Sequence, residues 1–285
     1  MSTEPRPQLG APSVGVEAVS RTSSERRRRR AGPSLPIATA IPIALTLALW
    51  EFGSAIGVID RVFFPAPTTI VAASWRLITE GEAVAGVAAT MHRILLGFVI
   101  GGVSGVLLGL LMGRFRLMRL TFEPLIRFIY PIPKIAVLPL LLVIFGLGSP
   151  PIIALATLSC FFPTVINTYY GVIQTDELLV RMARNMGASE AQLLTKVILP
   201  GAMPAIFSGL RLGLGMAVLG TIAGEFVATS SGIGAQTWLY WQVYQINNMY
   251  GTLLIIVLLG FGLTTLMIWA QERFFPWASQ STQQE

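Results

Sequence analysis

Six apolar stretches of about twenty residues dominate the sequence, separated by short polar connections. They run from about Leu35 to Val58, His92 to Met112, Phe128 to Leu147, Ile152 to Val172, Pro204 to Glu225 and Tyr250 to Ala270. A hydrocarbon core of about 30 Å takes roughly 20 helical residues to cross. Inside that core the backbone finds no water, so a spanning segment is a helix or a strand of a closed barrel. The short alternating strands of a barrel are absent from the pattern. The chain reads as an all-α polytopic membrane protein with six transmembrane helices. Its composition agrees: 12% of the 285 residues are charged, against about 25% in soluble domains.

Arginine and lysine set the expected orientation. They collect in the N-terminal tail with its Arg26–Arg30 run, in the loop after span two (Arg114, Arg116, Arg119, Arg127), in the 173–203 loop and near the C-terminal end. The connections near 146–151 and 226–249 carry none. In the first connection Arg61 and Arg76 are offset by Asp60, Glu80 and Glu82. Cytoplasmic loops are enriched in Lys and Arg, which puts both termini and the 173–203 loop in the cytoplasm. An even number of spans also puts both ends on one side. Residues 1–33 read as a disordered basic tail. Because its arginines abut a span, they read as topogenic rather than as a lipid or nucleic-acid site; no nucleic-acid partner is expected.

Several chemistries are excluded. Neither lysine, Lys134 or Lys196, follows a glycine, so the phosphate-cradling GxxxxGK[ST] loop is missing. The one cysteine, Cys160, allows no disulfide, and the one histidine, His92, has no clustered ligands. No metal, cofactor or catalytic set is expected.

The 173–203 loop is polar and helical between apolar neighbours. Asp176 precedes ELLVRMARNM as an N-cap. Gly187 is placed to end that helix in the left-handed conformation. Ser189 with Gln192 forms a capping box that opens a second short helix, about 190–198, which Pro200 follows. Pro204 is placed to start span five. Leu193, Leu194 and Val197 give the short helix an apolar stripe. From spacing alone this helix either packs on its own bundle or docks on a partner.

The stretch resembles the EAA loop of the membrane subunits of binding-protein-dependent ABC importers. That pattern reads EAA, three residues, Gly, nine residues, then Ile-x-Leu-Pro; Ala183, Gly187, Val197, Leu199 and Pro200 stand at those offsets. Arg181 and Met182 stand where Glu and Ala are usual. HRILLGFVIGGVSGVLLGLLMG, IPKIAVLPLLLVIFGLG and FFPTVINTYYGV are similar to the sulfonate, taurine and nitrate branch of that family. The resemblance implies a type I importer permease. Residues 84–272 would be its transmembrane domain, after a first helix and interfacial segment over 34–83 and before a cytoplasmic tail over 273–285. It implies a coupling element of Ala183, Arg184, Gly187, Ala188, Ser189, Glu190, Leu193, Leu194, Val197, Leu199 and Pro200, seated in a groove of an ATPase subunit. It also implies a second permease copy as a homodimer partner and a periplasmic or lipid-anchored binding protein. ATP and Mg would be used by the ATPase, in the inner membrane of a bacterium.

Other residues read more openly. Gly97, Gly101, Gly105, Gly109 and Gly113 repeat every four residues on one helical face and read as helix packing. Glu225 at the end of span five is either a gating residue at the outer mouth or a structural carboxylate. Thr164 and Asn167 either line a path or bond between helices. Arg93, entering span two, is explained by snorkelling to the interface, with contact to an anionic solute as the lesser reading. Thr68 is placed to cap a short helix, and the spacing of Ile70, Ala73, Ser74 and Leu77 predicts that it lies in the outer interface. Two other functions compete. A stand-alone secondary transporter would show inverted repeats and buried coupling charges. A membrane-anchored enzyme would show a clustered nucleophile, base or metal set.

Overall fold

The computed structural model describes residues 35–274. The tail over 1–33 and most of 273–285 lie outside those residues. Every regular element among the described residues is helical. In order they are α1 (Leu35–Ala55), α2 (Pro67–Thr79), α3 (Glu82–Arg114), α4 (Arg116–Ile129), a 3-10 turn (Lys134–Val137) and α5 (Leu138–Phe145). Next come α6 (Ser149–Ile173), α7 (Glu177–Asn185), α8 (Glu190–Leu193), a π turn (Leu194–Ile198), α9 (Leu199–Ala228), α10 (Ile233–Gln242) and α11 (Ile246–Phe274).

The chain divides into two units, one ending at Trp50 and one starting at Glu51. In the first, Pro42 lies inside α1 and the Thr46 hydroxyl donates to the Pro42 carbonyl at 2.9 Å. The second holds every element from α2 onward.

Four stretches are long and apolar enough to cross a membrane: Glu82–Arg114, Ser149–Ile173, Glu190–Ala228 and Ile246–Arg273. A fifth forms if Arg116–Ile129 and Lys134–Phe145, bent by 92°, count as one span. Pro131, Pro133 and Pro139 in the stretch over 128–147 predict a kinked or interrupted helix, and the chain forms two helices at nearly a right angle there. Pro131 and Pro133 fall in the break, and proline supplies no N–H to continue a helix. The Lys134 ammonium covers the break by donating to the carbonyls of Tyr130 at 2.6 Å and Ile132 at 2.8 Å.

The centre of the second unit is α6, packed between α3 and α9. The α3 glycines make that approach close. Gly97 faces Ala156, Gly101 faces Thr157 and Cys160, Gly105 faces Phe161 and Thr164, Gly109 faces Val165 and Thr168, and Gly113 faces Val172. Both series climb by four, so the two helices run parallel with their small faces in register. A Cβ at Gly109 would lie 2.6 Å from the Thr168 Cβ. On the other side of α6, Gly209, Gly213, Gly220 and Gly224 of α9 meet Asn167, Thr164, Ser159 and Ile152 in the antiparallel sense. In lipid, helices associate through such van der Waals contact, which small residues permit.

The short helix α2 buries Ile70, Ala73, Ser74 and Leu77, the four positions its spacing predicts. Its cap is Ala66 with Pro67 next, while Thr68 bonds to Glu51 through both its amide and its hydroxyl. α2 packs on α11, where Gly251 lies against Ala73 and Ser74.

Candidate functional site

The loop end is built from local signals. The Asp176 carboxylate accepts from the Leu178 amide at 2.8 Å and opens α7. Gly187, at φ +81°, closes it. The Gly187 amide donates to the Arg184 carbonyl and the Ala188 amide to the Ala183 carbonyl, which is the Schellman pairing. Ser189 and Gln192 then cap each other reciprocally at the start of α8.

Beyond that cap the chain departs from a separate short helix ended by proline. Pro200 has no N–H for the Lys196 carbonyl, and the helix absorbs the loss by a register change. The Leu199 amide donates to the Leu194 carbonyl, five residues back, and the chain enters α9 unbroken. Pro204 accordingly lies inside α9 and does not start it. Glu190–Ala228 is a single 39-residue run, about 58 Å long at 1.5 Å per residue.

The apolar stripe on this run faces inward. Leu193 is 1% exposed and joins Val172, Ile198, Ala202 and Ile206 in a buried cluster, with Ala183, Leu194, Val197 and Leu199 packed around it. Pro200 is half-buried beside it. Periodicity identified the face, but the chain's own bundle occupies it, so Leu193 offers nothing to a partner. Glu190 is held within the chain as well, paired with Arg114 and lying 3.7 Å from Arg184. The surface left open belongs to α7 and its end. Leu178, Leu179, Met182 and Met186 are all exposed, Met186 by 87%. Arg181 pairs with Glu177 one turn back, so the arginine standing in the usual glutamate's place makes a local ion pair.

The opposite end holds a feature that sequence reasoning missed. Arg93 is 2% exposed and Glu225 0%. Snorkelling therefore does not describe Arg93, and Glu225 is fully withdrawn from solvent. The Arg93 Nη1 lies 2.5 Å from the Glu225 Oε1 and also donates to the Ser231 carbonyl at 2.8 Å. Its Nη2 donates to the Ser231 hydroxyl and its Nε to the Ser149 hydroxyl. The carboxylate accepts further from the Thr90 hydroxyl at 2.9 Å and the Gly234 amide at 3.0 Å. Thr90 in turn accepts from the Ile233 amide. A Cβ at Gly232 would overlap the carboxylate. One ion pair thus joins α3, the start of α6, the end of α9 and the segment entering α10. A signal was present in the two glycines of Ser231-Gly232-Ile233-Gly234, whose backbone must come close to something. The separation of 132 positions between the charges hid what that was.

Beyond this cluster α10 is tied to α3. The Gln236 side-chain Nε2 donates to the Glu82 carbonyl at 2.7 Å, and the Tyr240 hydroxyl to the Glu82 carboxylate at 2.9 Å. Burial first, and the Glu82 carboxylate next, push the Tyr240 phenol up to about 12.

Thr164 is fully buried and donates to the Cys160 carbonyl at 2.8 Å, with Gly209 and Gly213 of α9 against it. Asn167 donates to the Pro163 carbonyl at 2.8 Å, on the same side of α6. Thr164 and Asn167 thus each bond to a carbonyl one turn back on α6, and Glu225 is held in its ion pair. Among the described residues no group of three or more His, Cys, Asp or Glu is placed to hold a metal.

Known proteins resemble this chain in sequence over most of its length. The family described as "Binding-protein-dependent transport system inner membrane component" matches residues 105–280. A probable ABC transporter permease protein of Brucella abortus is 32% identical over 241 residues, covering 85% of this chain and 95% of that protein. The putative aliphatic sulfonates transport permease protein SsuC of Bacillus subtilis is 34% identical, covering 76% of this chain and 79% of its own length. The taurine transport system permease protein TauC of Escherichia coli is 30% identical, covering 82% and 87%. Among solved structures, a chain of the inward-facing MetNI methionine ABC transporter superposes with a TM-score of 0.55 at 23% identity, covering 72% of this chain and 97% of that one. That last likeness is one of fold. The chain belongs to the inner-membrane components of binding-protein-dependent transport systems, the multi-pass, non-catalytic permease subunits of ABC importers.

Proposed function

We propose that this chain forms the path of an importer for a small anion of the sulfonate, taurine or nitrate kind, moved by a separate ATPase that grips α7 and the turn at Gly187. The substrate class rests on relatives named for aliphatic sulfonates and taurine. The coupling reading rests on one observation: exposed Leu178, Leu179, Met182 and Met186 stand beside a capped turn that feeds an unbroken 39-residue helix. A rigid helix transmits a push, and a floppy loop absorbs it.

In this reading Ala183 and Leu193, Leu194, Val197, Leu199 and Pro200 seat the handle on the bundle. Gly187, Ala188 and Ser189 shape its tip, and Arg184 and Glu190 brace it against Arg114. Motion at the tip travels along Glu190–Ala228 to Glu225, which lies on the same run. The Arg93–Glu225 pair fixes the far mouth, and Thr164 and Asn167 shape the wall rather than contact solute. α1 is the first of six spans, and both termini and the 173–203 loop are cytoplasmic. A second copy completes the path as a homodimer, and a binding protein delivers solute to the far mouth. The chain itself binds no cofactor; ATP and Mg belong to the ATPase.

Reconstitution tests the reading. Proteoliposomes holding the chain with its ATPase and binding protein should take up a labelled alkanesulfonate only when ATP is supplied. The chain alone should neither transport nor hydrolyse ATP. Uptake by the chain alone under an ion gradient would make it a secondary transporter instead.

A further inference from the structure

We infer that Lys134 is a solute-contacting residue of the transport path, where its ammonium meets a small anion halfway across the membrane. The inference rests on the anion-importer reading above and names the group within it.

The depth of Lys134 follows from its neighbour. Its Nζ lies 4.7 Å from the centre of the Phe162 ring and 5.4 Å from that of Tyr130. Phe162 is 13 residues from the start of α6 and 11 from its end. At 1.5 Å per residue this is about 20 Å from one end of the span and about 17 Å from the other. The ammonium therefore lies near mid-depth.

A charge there is costly in hydrocarbon, and such charges face protein or a water-filled cavity. Irregular backbone at that depth carries the same restriction, and Lys134 stands at the 92° break between α4 and α5. Two independent features thus exclude lipid from one place, and because Lys134 is only half-buried by its own chain, its open side calls for a polar cavity.

Lys134 forms no ion pair among the described residues. Carbonyls and ring faces hold it instead. It donates to Tyr130 at 2.6 Å and Ile132 at 2.8 Å, with Ile129 at 3.4 Å, while the two aromatic faces attract it through their quadrupoles. These partners fix the position of the charge without cancelling it. The counter-charge is left to the solute. With two of three N–H groups committed at short distance, the lysine offers a passing anion its field and little more than one hydrogen bond. A contact of that strength suits a path, where a solute must leave as readily as it enters. Arg93, withdrawn from water, already donates four bonds, one of them to the Glu225 carboxylate. It is not available for this role.

The test uses the complete complex in proteoliposomes with labelled ethanesulfonate as probe, comparing wild type with Lys134→Arg, Lys134→Gln and Lys134→Met. The Gln and Met variants should lower the maximal uptake rate about ten-fold. Thermal unfolding in detergent and ATP hydrolysis stimulated by loaded binding protein should stay at the wild-type level. The Arg variant, which keeps the charge, should retain most of the uptake. If Gln transports like wild type, or if stability and hydrolysis fall in step with uptake, Lys134 only caps the break and the inference is overturned. A wild-type complex that takes up neither ethanesulfonate nor nitrate overturns the anion reading, and this inference with it.

Discussion

Truncating Glu225 to alanine would leave Arg93 buried without its counter-charge. Removing one partner of a buried pair costs about 3–5 kcal/mol, whereas replacing both by apolar groups of similar volume is often close to neutral. Denaturant titration of the purified chain should therefore show Glu225→Ala strongly destabilised. Arg93→Met combined with Glu225→Leu should recover much of that loss. Equal losses in both would mean the surrounding hydroxyls and amides matter more than the charges. The glycines allow a finer test. Gly109→Ala drives a Cβ towards Thr168 and the Val165 carbonyl, and such overpacking costs about 1–3 kcal/mol. Gly215 lies in α9 with nothing within 4 Å of an added Cβ, so Gly215→Ala should be neutral or should stabilise by up to about 1 kcal/mol. The same titration reads both. At this scale the sequence was legible wherever the signal was local. Asp176, Gly187 and Ser189 act within a few residues of themselves, and their caps are where the spacing puts them. Arg93 and Glu225 were illegible as a pair, because nothing in either neighbourhood records a contact across the fold.

Among the elements, periodicity told which face of a helix is apolar but not what covers it. The buried face of α2 was readable because a short helix with one apolar side has one bundle to meet. The stripe through Leu193 had two candidate occupants, and the chain's own core took it. The register change at Leu194–Ile198 was also hidden: Pro200 reads as a stop, but the helix bypasses its missing N–H through a longer hydrogen bond. The turn at Gly187 supplies a test of the handle's shape. Proline fixes φ near about −65° and cannot adopt the +81° seen there. Gly187→Pro should insert normally yet lose ATP-dependent uptake, measured in proteoliposomes beside the wild type. Normal uptake would mean that the turn's geometry does not matter for coupling.

The whole molecule was legible as a class from span length and charge, because lipid imposes both. The glycine stripe carried the α3 face, while its partner on α6 needed the fold. The 92° break was readable as a kink or an interruption without its angle, since prolines mark a weak point and no more. Orientation remains testable at this scale. In a Cys160→Ser background, Thr195→Cys should react with a membrane-impermeant maleimide only from the cytoplasmic side, and Ser230→Cys only from outside. Reversed labelling would invert the proposed topology. The central claim, that a separate motor grips α7, is tested most directly by ATPase retention on the immobilised chain. Met182 and Met186 are exposed, so Met182→Glu with Met186→Glu should leave unfolding unchanged while the ATPase is lost from the complex. Retention at the wild-type level would contradict the account.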